Sequence, residues 1–144
     1  LGYNTVRFNF RGTGASDGEY DNGIGEVDDL AAVHAWVTEA HSPEAMVIAG
    51  YSFGSIVAAK AAASLLPEHL VLIAPPTRGM ALPEGIDVPT LAIAGTDDGF
   101  VDMASLATLG ASDGFEVRTI EGGDHFFGGC HPNLADAVRQ ALAR

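Results

Sequence analysis

Residues 45–66 read AMVIAGYSFGSIVAAKAAASLL, and this stretch decides the fold. Residues 45–51 are a near-continuous apolar run, the pattern of a strand whose sheet is covered on both faces. Residues 52–66 are alanine-rich and apolar around most of a helical circumference, which predicts a buried helix. The two meet at GYSFG, residues 50–54, so a strand runs straight into a helix through a serine set between glycines. Such a turn lifts the serine hydroxyl above the sheet edge at a helix N-terminus. Small residues on either side let the two backbones cross closely.

Working outward, further β-rich runs cover residues 3–10 (YNTVRFNF), 69–74 (HLVLIA) and 90–95 (TLAIAG), and a more alternating one covers 115–121 (FEVRTIE). Helical patterns lie between them. Residues 25–40 place Val27, Leu30, Val33 and Val37 at helical spacing, with acids in the first turn where the helix dipole favours them. Residues 103–109 read as a shorter helix candidate, and 132–143 close the chain with Pro132 suited to a first turn. Alternating strands and helices predict an α/β fold, a mostly parallel doubly wound sheet of about five strands flanked by helices. Residues 75–89 (PPTRGMALPEGIDVP) carry no helical pattern and are too short for a lid domain.

The chain has 144 residues, a single domain's length, and 47% of them are hydrophobic, enough for a core. Its net charge of −12 sets nucleic acid and anionic membranes aside as partners. No apolar run approaches a membrane span and no basic leader precedes the first strand. The lone Cys130 excludes an internal disulfide and a thiolate zinc cluster. It reads as a small buried or half-buried apolar residue and fits a reducing, cytoplasmic compartment. No metal site or cofactor fingerprint is present; GTGASDG lacks the G-x-G-x-x-G spacing and opens no helix.

G-x-S-x-G recurs at 14–18 and 110–114, both GASDG, so the pattern alone does not choose. Ser16 stands between loops and Ser112 where a helix hands over to a strand, which makes them turn serines. Ser52 alone has the strand-to-helix context; its bland alternative is an N-cap. A serine nucleophile needs a base, and the base an orienting acid. Strand C-termini are where such groups collect in open α/β sheets. Asp97, Asp98 and Asp102 follow one strand, in GTDDGFVD, and His125 follows the next, in EGGDHFFGG. His34, His41, His69 and His131 read as surface or capping residues.

Taken in order, GYSFG, GTDDGFV and GGDHFF resemble the α/β-hydrolase superfamily, in particular a prokaryotic lid-free branch near the serine aminopeptidase-like and dienelactone hydrolase-like groups. In that family the acid stands three residues after the strand-ending glycine and three before a valine. The resemblance therefore implies Asp98 as the acid, with Asp97 as runner-up, His125 as the base and the Phe53 N–H as one oxyanion donor. It also matches Arg11, Gly12 and Ser16 to a loop shaping the site floor, although a plain turn is the stronger reading for them. The chain corresponds to strands 4 to 8 of that fold. Strands 1 to 3 and the loop supplying a second oxyanion N–H have no counterpart, so residues 1–144 are expected to be a partial hydrolase domain without a lid.

The resulting expectation is a serine hydrolase that cleaves a small carboxylic ester, or less readily an amide as a peptidase would, through an acyl-enzyme on Ser52. The alternative is an impaired or non-catalytic fragment. A bare sheet edge, expected at residues 3–10, predicts association into a homo-oligomer.

Overall fold

The structure, a computed structural model, describes residues 2–143. Strands β1 (Val47–Tyr51), β2 (His69–Ile73), β3 (Thr90–Gly95) and β4 (Phe115–Ile120) lie side by side in chain order. Every neighbouring pair is parallel. Helix α1 (Gly25–His41) precedes β1, α2 (Phe53–Leu65) joins β1 to β2, α3 (Met103–Leu109) joins β3 to β4, and α4 (His131–Leu142) closes the chain. Between β2 and β3 the chain crosses without a helix, as the Pro- and Gly-rich composition of 75–89 predicts.

The two-residue period of each strand sorts its side chains between two cores. Ile48, Leu70, Leu72, Ala92 and Ala94 pack on one face against α2 and α3, through Ala58, Ala59, Ala62 and Leu106. Val71, Leu91, Ile93 and Ile120 pack on the other, where Leu134, Val138 and Leu142 of α4 cover them. α2 is buried along most of its length, from Ser55 to Ala62 save Lys60, because it is wedged between the sheet and α1. Its alanines suit that place: they have helix propensity and no bulk to hold helix and sheet apart. α4 meets solvent on its outer side and so needs only one apolar stripe.

One expectation fails. Residues 3–10 form no strand, and the sheet has four strands among the described residues, not about five. The composition is that of a strand, but a strand exists only where a neighbour completes its hydrogen bonds. None lies beside this segment, and Tyr3, Val6 and Phe8 remain 47%, 47% and 37% exposed. The edge strands of the sheet are accordingly β1 and β4, and residues 3–10 are not one of them.

The segment is tied to α1 just past its end. Arg11 donates from Nε and Nη2 to the Asp29 carboxylate of α1 at 2.8–3.1 Å, and its backbone N–H adds a 2.9 Å bond to the same group. Those guanidinium bonds hold the Asp29 carboxyl below its ordinary value despite partial burial. Glu26, fully buried at the start of α1, accepts the N–H groups of Asp21 and Gly23, both at 2.8 Å. Burial works to raise its carboxyl, and these bonds outweigh that and lower it.

Candidate active site

Ser52 is the residue between β1 and α2, and it has φ 51° and ψ −123°. A positive φ in a residue with a Cβ is costly and persists only where the surroundings enforce it. Here the enforcement is visible. A Cβ on Gly50 would lie 2.2 Å from the Gly54 carbonyl oxygen, so β1 and the first turn of α2 cross closer than any side chain permits. The Ser52 N–H is tied to the Ile73 carbonyl on β2 at 2.8 Å. Although Ser52 occupies the N-cap position of α2, its hydroxyl makes no cap bond. It lies 2.8 Å from His125 Nε2 instead.

His125 arrives on the loop after β4. That loop is drawn against the end of β3 by a second glycine crossing, where a Cβ on Gly95 would stand 2.0 Å from the Gly123 carbonyl oxygen. The Asp97 N–H bonds the same carbonyl at 2.9 Å. Past His125, buried Phe127 anchors the loop in the core beneath α4. The Asp124 carboxylate accepts the N–H groups of Phe126 and Gly128 at 3.0 and 2.9 Å. His125 is thus held from both sides along its own chain.

Asp98 completes the line. One carboxylate oxygen is 2.8 Å from His125 Nδ1 and the other accepts the Phe100 N–H at 2.9 Å, with the side chain fully buried. A carboxylate only accepts, so the imidazole proton sits on Nδ1 and leaves Nε2 to receive the Ser52 hydroxyl proton. Phe100, Phe126 and Tyr51 surround the imidazole with ring centroids 4.7, 5.4 and 5.6 Å away. The Phe53 N–H belongs to the first turn of α2, where backbone donors lack helical partners and the helix dipole is positive. The arrangement can transfer a proton from a serine hydroxyl and stabilise the imidazolium that results.

The other candidates stand elsewhere. Asp97 is exposed and 3.4 Å from the Thr96 hydroxyl. Asp102 caps α3, accepting the Ala104 N–H and the Ser105 hydroxyl, and the latter bond holds its carboxyl below the ordinary value. Arg11 is committed to Asp29, Gly12 turns with φ 68°, and the Ser16 hydroxyl bonds the Asn9 carbonyl at 2.9 Å. They meet the site indirectly, through Phe10 and Tyr20, whose rings pack 5.9 and 5.5 Å from that of Phe53. Sequence reasoning missed Tyr51, whose hydroxyl donates to the His125 carbonyl at 2.7 Å. Its one signal was adjacency to Ser52 in GYSFG. A cavity of about 300 Å³ opens at the opposite, amino-terminal end of the strands, lined by His69, Thr90 and Phe115 and by none of these three groups. Among the described residues no three His, Cys, Asp or Glu side chains converge as a metal site would, and no helix is long and apolar enough to cross a membrane.

The fold is that of the α/β hydrolases. Residues 1–84 match the X-Pro dipeptidyl-peptidase (S15) family, and the chain belongs to that family. It is similar to a lid-free α/β serine hydrolase from Xanthomonas campestris, at 34% identity and a TM-score of 0.89 over 96% of this chain and 65% of that one. An α/β serine hydrolase homologue from Coxiella burnetii shares 36% identity at a TM-score of 0.85, over 93% of this chain and 67% of the other. An uncharacterized protein of Rickettsia prowazekii is 32% identical over 142 residues. The chain spans 59% of the length of that relative and 65% of the Xanthomonas protein.

Proposed function

We propose that the protein hydrolyses a carboxylic ester through an acyl-enzyme, with Ser52 as nucleophile, His125 as general acid and base, and Asp98 as its orienting partner. The observation that carries this is the 2.8 Å approach of the Ser52 hydroxyl to His125 Nε2 from a strained backbone, in place of the cap bond its position offers. Ser52 Oγ forms a bond to the substrate carbonyl carbon while its proton passes to Nε2. The oxyanion that develops faces the Phe53 N–H at the positive end of α2. The bond to the leaving alkoxide then breaks, and the alkoxide takes the proton from Nε2. Water repeats the cycle on the acyl-enzyme: it gives a proton to Nε2 and its oxygen to the carbonyl, and releases the acid as Ser52 regains its hydrogen.

Family membership favours a second substrate class, an amide following proline. The two are separated by assaying short-chain p-nitrophenyl esters beside an aminoacyl-prolyl p-nitroanilide. Turnover of the esters alone, abolished by Ser52→Ala, supports the ester reading. Turnover of the anilide at a comparable rate supports the peptidase reading, and ester turnover that survives Ser52→Ala removes the nucleophile.

A further inference from the structure

We infer that Tyr51 is a positioning residue that registers the base directly to the nucleophile's own strand, an assignment that rests on the proposed roles of Ser52 and His125. The problem it solves is geometric. Ser52 follows β1 and His125 follows β4, three strands apart, so the His125 loop must reach back over roughly 14 Å of sheet. The Gly95–Gly123 crossing, the Asp97 N–H and the Phe127 anchor relate that loop to β3, β4 and α4. Any shift between β1 and the far strands would pass undiminished into the distance between Oγ and Nε2.

Tyr51 closes that gap. Its hydroxyl donates to the His125 carbonyl at 2.7 Å, a contact between residues 74 apart in sequence, and its ring lies 5.6 Å from the imidazole. The result is a small closed circuit: Tyr51 side chain, His125 backbone, His125 imidazole, Ser52 hydroxyl and the peptide joining Ser52 to Tyr51. Within it, the approach of Oγ to Nε2 depends on two adjacent residues of one strand end. Burial, and then the charges of Asp98 and Asp124, push the Tyr51 phenol above its ordinary value, so it remains a donor across the pH range in which a histidine base works. Positioning of this kind matters because reacting atoms displaced by ~1 Å lose about 10²-fold in rate.

Tyr51→Phe keeps the ring and removes only the donor. Two readouts on the full chain decide the matter: the rate at which a fluorophosphonate labels Ser52, and the NMR signals of the His125 ring nitrogens, which do not depend on turnover. Labelling is expected to slow about five- to tenfold, with its pH midpoint unchanged and the melting temperature lowered by no more than a few degrees, as loss of one neutral hydrogen bond in a positioning role implies. The His125 signals are expected to broaden or shift toward those of an imidazole unbonded at Nε2. Unaltered labelling together with unaltered ring signals overturns the assignment. If the unsubstituted protein is folded but unlabelled, the proposed nucleophile fails, and the ring signals of Tyr51→Phe still show whether Tyr51 holds His125.

Discussion

β1 and residues 3–10 are both β-rich runs, β1 almost wholly apolar and residues 3–10 apolar at every other position or so, yet β1 pairs with β2 at all five of its residues while residues 3–10 have no strand beside them. The nearby α1 shows what separates the two cases. A helix closes its hydrogen bonds within itself, so α1 forms with little more than α2 to pack on. A strand closes them on a neighbour, and with none available Tyr3, Val6 and Phe8 stay exposed to water. Regular structure at residues 3–10 is therefore a property of the surroundings, whereas the turn at Ser52 is enforced by groups the chain itself carries.

The largest expected effect tests the enforced region. Asp98→Asn and His125→Ala should each lower ester hydrolysis about 10⁴-fold, because the nucleophile then lacks a correctly held base. Asp97→Asn should leave the rate nearly unchanged, and an equal fall in Asp97→Asn would move the acid. Next comes the contrast in packing. Leu72, fully buried on β2, should cost ~3 kcal/mol on substitution by alanine in urea unfolding, and Phe8 less than ~1. Equal costs would mean that residues 3–10 are packed as firmly as the sheet.

Gly50→Ala should destabilise by ~2–3 kcal/mol because its Cβ meets the Gly54 carbonyl. Gly54→Ala, whose Cβ would first meet Phe10 at 3.9 Å, should change stability by less than ~1 kcal/mol. Similar losses at both positions would remove the close crossing as the source of the turn. The smallest effect concerns the tether between the two regions. The Asp29 carboxyl is lowered by Arg11, so its contribution is complete above the unfolded value near 3.8 and is lost as pH falls through the lower folded value. Asp29→Asn should be slightly less stable than the unsubstituted protein at pH 6, and the difference should close in acid. A difference independent of pH would exclude the ion pair.

The parts of the site legible in sequence were those with local causes. A glycine-bounded serine between an apolar strand and an apolar helix specifies its own turn, and the chemistry of the acid and base directs attention to the strand ends that follow. Asp97, Asp98 and Asp102 could not be separated on residue type alone, because the difference lies in where each carboxylate bonds: Thr96, His125 or the first turn of α3. Tyr51 and the Arg11–Asp29 pair were illegible for the same reason. Their partners are 74 and 18 residues away, and neither residue sits in a pattern that names a partner. The strand expected over residues 3–10 does not form, because a β-rich composition reports suitability for a sheet and not the presence of a neighbour.

The central claim is that the strained hydroxyl of Ser52, held by His125, is the reactive group of this protein. Treatment of the folded chain with a fluorophosphonate, followed by intact-mass and peptide analysis, tests it most directly. The account predicts one adduct, on the peptide containing Ser52, and none in Ser52→Ala. An adduct on Ser16 or Ser112, or no adduct on a folded chain, would contradict it.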